Sequence, residues 1–247
     1  MSMEVENLEV KHSDVQVRNF FNELNADELQ SLSAVMDVSV VKKGQYLYKE
    51  GSVPAGLYCL SRGRVKISKR GDEGKEQIIN LFKDGSMLGY GALLSGETYG
   101  NSAIATEDSE VLYFPKNVFL TVAGNNSELS FRMMKMLSSD VRTAEKYITI
   151  IAQKPVRERL AEALLRLRTV YQADQDELTI DMSLTREEIA NIVGTATETA
   201  IRLLSEFRKD NIIELSGKKI KILNLKKLTD VANANNKIDR SHTFLYS

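Results

Sequence analysis

Two copies of the pattern Thr-x-x-Glu, ten residues apart, constrain the fold of this chain more than any other feature. They lie in the stretch TREEIANIVGTATETAIRLL, which begins at Thr185. In this pattern the threonine hydroxyl accepts a hydrogen bond from an amide in the first helical turn, and the glutamate bonds back to the amide of the capping residue. Thr185 with Glu188 therefore predicts the start of one helix. Thr195 with Glu198 predicts the start of a second.

Apolar residues recur at helical spacing on both sides of Gly194, which predicts a helix-turn-helix. Glycine ends helices readily because it adopts the left-handed conformation without a steric penalty. The predicted inward residues are Ile189, Ala190, Ile192 and Val193 in the first helix, and Ala200, Leu203, Leu204 and Phe207 in the second. The small side chain of Ala190 suits a close helix crossing.

The outer face of the second helix is predicted to carry Thr197, Glu198, Ile201 and Arg202. A glutamate accepts from cytosine N4 and an arginine donates two hydrogen bonds to guanine, so this face can contact base edges. The same two charged residues also fit an ordinary i,i+4 salt bridge on a surface helix. Taken alone, the spacing does not decide between these two interpretations.

The flanking sequence favours the first interpretation. Residues 176–183 predict a strand, and residues 212–223 alternate apolar and polar around Ser216 and Gly217, which predicts a β-hairpin. Lys218, Lys219 and Lys221 lie on the second hairpin strand. A helix pair followed by a basic hairpin is a winged helix, whose lysines would lie over phosphates.

The charge distribution limits the classes of partner. The chain has a net charge of −1, but residues 183–228 carry nine Lys/Arg against six Asp/Glu, a local charge of about +3. A regulator with localised basic residues fits this pattern, and a protein that coats nucleic acid non-specifically does not.

The residue inventory predicts neither a metal centre nor an enzyme. There is one cysteine, Cys59, and the two histidines, His12 and His242, lie near opposite ends. This excludes an intrachain disulfide and gives no ligand spacing for zinc or an iron–sulfur cluster. No nucleophile–base pair or Walker-type loop is present. The absence of a signal peptide and of a long apolar run predicts no membrane association and a cytoplasmic location.

The N-terminal half predicts a short helical region followed by an antiparallel β structure. Residues 14–36 have an amphipathic helical pattern, and residues 38–114 form short alternating runs punctuated by glycine. This rhythm is typical of a compact barrel or jelly roll, which can hold a small ligand or be a packed core. Cys59 lies between Tyr58 and Leu60 in a predicted strand, so core packing is favoured over a redox switch.

A long helix is predicted over residues 127–153. Six apolar residues repeat at spacings of three and four, which is the a/d pattern of a coiled coil; they are Met134, Leu137, Val141, Ala144, Ile148 and Ile151. The polar flanks of this seam favour pairing with a second copy in a twofold homodimer. The alternative is a helix that packs only on its own β domain. After Pro155 a further amphipathic helix leads to the helix-turn-helix.

In this order, these elements resemble the CRP/FNR family of bacterial transcription regulators over essentially residues 15–228. Three stretches carry the resemblance: TREEIANIVGTATETAIRLLSEFRKDNII for the helix-turn-helix, QKPVRERLAEALLRL for the hinge and following helix, and GSMLGYGALLSGETYGNSAIATEDSEVLYFPKNVF for the phosphate-binding cassette. The resemblance implies an α+β fold with an effector-sensing β-roll (residues 15–126), a dimerisation helix (127–153), a winged-helix DNA-binding domain (154–228) and a C-terminal tail (229–247).

The resemblance also places an effector pocket, but it disfavours the effector best known in the family. The pocket would be formed by Gly89, Tyr90, Gly91, Ala92, Asn101 and Ser102. Members that bind cyclic AMP have a glutamate for the ribose and an arginine for the phosphate, where this chain has Tyr90 and Asn101. Without the arginine a bound phosphate loses its charge-assisted contact. The single cysteine and the scarcity of histidine disfavour the iron–sulfur and haem branches, so the effector is left open.

On the DNA side the resemblance assigns base contacts to Glu198 and Arg202, with Thr197 where some members have a further arginine, and with Ile201 beside them. Predicted phosphate contacts are Thr185, Arg186, Thr195, Thr199, Lys218 and Lys219. We expect a palindromic site on double-stranded DNA with half-sites roughly 34 Å apart, and RNA polymerase as a further partner.

The sequence therefore predicts a homodimeric, sequence-specific DNA-binding transcription regulator with a β-roll sensor. The alternative is a small-molecule-binding signalling module whose winged helix binds protein, because winged helices sometimes do so. Steep salt dependence of binding to duplex DNA would separate the two, since phosphate contacts release counterions.

Overall fold

The structure is a computed structural model, and it describes residues 21–22, 24–71, 74–173, 176–181 and 184–234. It divides into two units, Met1–Thr143 and Ala144–Ser247, and the division falls inside the long helix. Each unit has its own hydrophobic core and is described by itself.

The first unit contains a short helix, eight strands and two further helices. In chain order they are α1 (Ala26–Ser33), β1 (Asp37–Val41), β2 (Tyr46–Tyr48), β3 (Gly56–Arg62), β4 (Arg64–Arg70), β5 (Glu76–Lys83), β6 (Met87–Leu88), α2 (Tyr90–Ser95), β7 (Ser102–Ala105), β8 (Ser109–Pro115), α3 (Lys116–Asn125) and α4 (Ser127–Gln153), the last of which continues into the second unit.

The eight strands form two antiparallel sheets, in the orders β1-β8-β3-β6 and β2-β7-β4-β5. Among the described strands the sheets stay separate, so the predicted jelly-roll fold is confirmed and a closed barrel is not formed. One core cluster lies around Leu60, Val65 and Val111. A second joins Leu57 and Phe114 to the helices.

The first turns of α4 pack on their own β-roll, as the alternative for this helix proposed. Leu129 and Met133 are buried in the second cluster, and Leu137 packs against it partly buried. On another side of the same helix, Met134 and Val141 are 55% and 58% exposed. The helix bounds match the predicted range, but only part of its apolar surface is used within the first unit.

The second unit is a helical and sheet domain. It contains α5 (Val156–Tyr171), β9 (Gln172–Ala173), β10 (Asp176–Asp181), α6 (Arg186–Val193), α7 (Thr197–Lys209), β11 (Ile213–Ser216), β12 (Lys219–Ile222) and α8 (Leu225–Ala232). The sheet order is β11-β12-β10-β9, and all its strands are antiparallel. The predicted hairpin is therefore present, with Gly217 and Lys218 between its strands.

The first predicted capping box is confirmed. Thr185 caps α6: its hydroxyl accepts from the Glu188 amide at 3.1 Å, and the Glu188 carboxylate accepts from the Thr185 amide at 2.9 Å. Gly194 ends the helix with φ 70° and ψ 51°, in the left-handed region as predicted. The inward faces of α6 and α7 are buried at every predicted position.

The second predicted capping box is wrong. Helix α7 begins at Thr197 and its N-cap is Ala196, which makes no side-chain cap bond. The reason lies in the turn, where the Thr195 amide donates to the Ala190 carbonyl at 3.1 Å and so completes the end of α6. Thr195 is therefore part of the first helix's termination, and Glu198 is released from a capping role.

The predicted helical region near the start and the predicted tail both lie partly outside the described residues. Within the predicted helical region 14–36 the structure has α1, while residues 14–20 lie outside the described residues. The predicted boundary at 228 falls inside α8, whose Leu228 and Ala232 are both buried, so the helical domain extends further than expected. Residues 235–247 of the predicted tail also lie outside the described part. No described helix has the length and apolarity needed to span a membrane.

The capping result predicts an asymmetry between two threonines. Thr185→Ala removes the hydroxyl that accepts from the Glu188 amide and keeps the backbone amide of residue 185, and it should lower the free energy of unfolding by about 1 kcal/mol. Thr195→Ala removes no cap and should change it by less than about 0.5 kcal/mol. Chemical denaturation followed by circular dichroism measures both values, and equal losses in the two variants would contradict the assigned caps.

Candidate nucleic-acid interface and effector pocket

The two faces of helix α7 differ sharply in their exposure to solvent. Ala200, Leu203, Leu204 and Phe207 are at most 4% exposed, whereas Ile201 is 46% exposed. Glu198 and Arg202 are also exposed, and Thr197 is half-buried. The core of the second unit holds one face of the helix, so the four predicted base-contacting residues lie together on the other face.

Arg202 forms an ion pair, but not with the predicted partner. Its Nη1 lies 2.5 Å from Oε1 of Glu206, one turn towards the C-terminus. Among the described residues no partner is found for the Glu198 carboxylate. The surface salt bridge offered as the alternative role of Glu198 is therefore not formed.

Glu206 links Arg202 to a second arginine. Its Oε2 lies 2.8 Å from Nη1 of Arg157 on α5, and Nη2 of Arg157 lies 2.8 Å from Oδ2 of Asp210. The Arg157 guanidinium also lies 4.8 Å from the ring centroid of the buried Phe207. Glu206 and Arg157 were not among the residues predicted from the sequence. The i,i+4 spacing signalled the former, but nothing in the sequence signalled the latter.

The predicted phosphate-contacting residues differ in their exposure and bonding. Lys218 and Lys219 are exposed on the hairpin, and Thr195 and Thr199 are half-buried. Arg186 donates from Nη2 to the Gly217 carbonyl at 3.0 Å. Its partial burial lowers the pKa of Arg186 below the usual arginine range. Arg186 therefore ties the start of α6 to the hairpin turn.

In the first unit, the predicted effector pocket surrounds the start of α2. Gly89 precedes the helix with φ 84°, and a Cβ there would lie 3.2 Å from Tyr99. Tyr90 is 7% exposed, and its hydroxyl donates to the Asp140 carboxylate on α4. Burial first, and then this hydrogen bond, raise the pKa of Tyr90 above the usual tyrosine value.

The remaining pocket groups are bonded within the protein. The rings of Tyr48 and Tyr99 stack with centroids 3.9 Å apart, and the Tyr48 hydroxyl lies 3.5 Å from Oδ1 of Asn101. Ser102 Oγ accepts from the Glu50 amide at 2.9 Å. Tyr48 and Tyr99 contact predicted pocket residues but were not themselves predicted, because they lie far from these residues in the sequence.

Cys59 is fully buried, and burial raises the pKa of its thiol, as expected for core packing rather than a reactive thiol. No cluster of three or more potential metal-ligating side chains occurs in the part of the chain that the structure describes. On α4, Ile148 and Ile151 are 66% and 37% exposed, and Ala144 is exposed.

A β-roll followed by a winged helix-turn-helix with exposed polar residues on its second helix defines a class of DNA-binding transcription regulators. The family model of the cyclic nucleotide-binding domain matches residues 38–126, and the family model of the Crp-like helix-turn-helix domain matches residues 158–231. The fumarate and nitrate reduction regulatory protein of Vibrio cholerae is 30% identical over 211 residues, which cover 85% of this chain and 84% of that protein. The chain belongs to the CRP/FNR family of transcription regulators.

Solved structures share this fold. FixK2 from Bradyrhizobium japonicum superposes with a TM-score of 0.72 at 23% identity, covering 80% of this chain and 97% of that one. A CRP/FNR-family regulator from Eubacterium rectale gives 0.73 at 21% identity, covering 87% and 99%. The relatives are transcription regulators and not enzymes, which confirms that part of the sequence analysis.

The environment of Tyr90 leads to a prediction. Tyr90→Phe keeps the buried ring and removes its hydrogen bond to a carboxylate, so it should lower the free energy of unfolding by about 1 kcal/mol. Tyr46→Phe is the matched control, because Tyr46 is 39% exposed and its hydroxyl has no bond among the described residues. Urea denaturation followed by tyrosine fluorescence measures both, since the chain lacks tryptophan. Equal stability of the two variants would contradict the contact.

Proposed function

We propose that the protein acts as a homodimer that binds a palindromic operator and inserts α7 of each protomer into the major groove. The observation that carries this proposal is the exposed face with Glu198, Ile201 and Arg202, opposite a fully buried apolar face. Side chains on such a face can reach base edges in a groove wide enough for a helix.

Each residue of this face has a distinct role in the proposal. Glu198 accepts from cytosine N4, and it is available for this because it neither caps the helix nor pairs with another described residue. Arg202 donates to guanine. Ile201 contacts a thymine methyl group, and Thr197 contacts an adjacent base.

Phosphate contacts would fix the orientation of the helix without adding sequence information. We assign them to the residues around the face, namely Thr185, Arg186, Thr195, Thr199, Lys218 and Lys219. The exposed hairpin lysines supply most of the positive charge for these phosphate contacts. Arg186 contributes chiefly by holding the hairpin turn, since one of its nitrogens is already bonded to Gly217.

The α4 seam supplies the dimer in this proposal. Met134, Val141 and Ile148 are more than half exposed, which is unusual for apolar side chains at heptad spacing unless another helix covers them. Ala144 and Ile151 complete the seam, and Leu137 contributes only its exposed part.

We propose that the β-roll responds to an effector other than cyclic AMP. Tyr90 and Asn101 stand where cyclic AMP-binding members have a glutamate and an arginine. Tyr90 is already bonded to Asp140, and Asn101 accepts from the Tyr48 hydroxyl. The location would be the cytoplasm and a further partner RNA polymerase, as follows from action on a promoter. The alternative, a winged helix that binds protein, gains no specific support from the geometry.

Arg202→Ala should lose specific DNA binding while leaving dimerisation and melting nearly intact. Loss of a bidentate guanine contact corresponds to about 1–3 kcal/mol, or roughly 5- to 150-fold in affinity. Electrophoretic mobility shift with an oligonucleotide selected from a random duplex library measures this. Arg208→Ala removes the same charge from an exposed position on the same helix and should change affinity far less. An unchanged affinity of the Arg202 variant would refute its role.

A second prediction concerns the seam. Val141→Asp and Ile148→Asp place charges in the proposed dimer interface and should convert the protein to a monomer in sedimentation equilibrium. Ser139→Asp adds the same charge to an exposed position off the seam and should stay dimeric. A dimer that survives both seam substitutions would mean that the protomers associate elsewhere.

The dependence of binding on salt tests the partner class. Binding to duplex DNA through several lysines should weaken steeply as the salt concentration rises, with a slope of log affinity against log salt of about −0.9 per phosphate contacted. Lys218→Ala combined with Lys219→Ala should make the slope shallower by about two. A flat salt dependence together with indifference to sequence would favour the protein-binding alternative.

A further inference from the structure

A four-member ion network runs along the surface of the second unit and links the exposed face of α7 to α5. It runs from Arg202 through Glu206 and Arg157 to Asp210, with three contacts of 2.5, 2.8 and 2.8 Å. We propose that Glu206 is a positioning residue for sequence discrimination, which orients the Arg202 guanidinium for its base. This inference rests on the proposed function, in which Arg202 contacts guanine.

The network links the exposed Arg202 side chain, through Glu206, to Arg157 on α5. The Arg202 side chain is 64% exposed and its Glu206 partner 38% exposed, so an isolated pair here would be weak. Glu206, however, is held from its other oxygen by Arg157, which also lies on the fully buried Phe207 ring. Restraining the carboxylate at both oxygens restrains Arg202 before DNA binds, and this reduces the entropy lost on contact with a base.

The arrangement leaves the base-contacting capacity of Arg202 intact. A guanidinium carries five N–H donors, and the contact with Glu206 uses Nη1 alone. Four N–H groups remain, and guanine needs two of them for a bidentate contact with O6 and N7. Glu206 therefore supports the guanidinium from one side without occupying the donors that guanine requires.

Charge gives Glu206 a second effect on discrimination. The network contains two guanidinium groups and two carboxylates, so its formal charge is zero. Because Glu206 offsets its positive charge, Arg202 adds little to the general attraction for phosphates, which is the main source of non-specific binding. Its hydrogen bonds to a base are retained, so the carboxylate shifts the balance from non-specific towards specific binding.

Glu206→Ala should lower the discrimination between the selected operator and the same operator with its arginine-contacted guanine replaced. We expect a loss of five- to tenfold, with a two- to threefold gain in affinity for random duplex DNA. Glu206→Gln keeps the side-chain shape but removes the charge, and it should lower this discrimination two- to fourfold. Fluorescence anisotropy with both duplexes, at fixed salt, measures these ratios, and thermal melting verifies that each variant is folded.

A double-mutant cycle shows whether Glu206 acts through Arg202. In an Arg202→Ala background, Glu206→Ala should change discrimination by less than twofold. Glu187→Ala, which removes an exposed carboxylate from α6, is the matched control for charge and should leave discrimination unchanged.

The outcomes separate the two levels of the proposal. Unchanged discrimination in both Glu206 variants, or an equal loss in the Arg202→Ala background, would overturn the positioning role. A higher affinity for both duplexes by the same factor would also overturn it, because Glu206 would then be only a repulsive charge. If the wild-type protein enriches no sequence from the random library, the proposed function itself fails, whatever Glu206 does.

Discussion

Burial of one face of α7 is the constraint on which the candidate interface depends. Ala200, Leu204 and Phe207 are at most 1% exposed, and burying such side chains contributes about 1.5–3 kcal/mol for each large one. A one-residue rotation of the helix would bring Arg202 towards this core, where an unpaired charge is costly. The apolar face therefore fixes which side chains are exposed, and the candidate base-contacting residues contribute little to holding the helix in place.

Local rules in the sequence were sufficient for the helix pair but not for its surroundings. The capping box at Thr185 and the left-handed Gly194 involve neighbours within four residues, so spacing alone revealed them. The second box failed because the turn after Gly194 uses the Thr195 amide to end α6, and two overlapping local motifs compete for one residue. The sheet order could not be predicted, since strand pairing in the β-roll joins residues far apart in sequence.

The side-chain partners that define the two sites were harder still to predict. Arg157 and Glu206 are 49 residues apart, and Tyr90 and Asp140 are 50 apart. No periodicity encodes such pairs, because they depend on how whole elements pack. The family resemblance indicated that Tyr90 departs from the cyclic AMP-binding pattern, but only the structure provides its partner. The departure from the family pattern thus singled out position 90, and the structure shows that Tyr90 bonds to Asp140.

The hydrogen bond between Tyr90 and Asp140 limits how an effector could act in the first unit. Tyr90 lies at the start of α2 and is bonded to Asp140, which precedes Val141, a residue of the proposed seam that is 58% exposed. A ligand that moves α2 has to break or re-form this bond, so its differential affinity for the two arrangements must exceed the cost of an unmade buried hydroxyl, about 1–3 kcal/mol. A ligand that fills space near Asn101 without moving Tyr90 has no such route to α4. Coupling between the proposed pocket and α4 would therefore favour effectors that compete with Asp140 for the tyrosine hydroxyl. Such ligands need a well-placed hydrogen-bond acceptor, which purely apolar ligands lack.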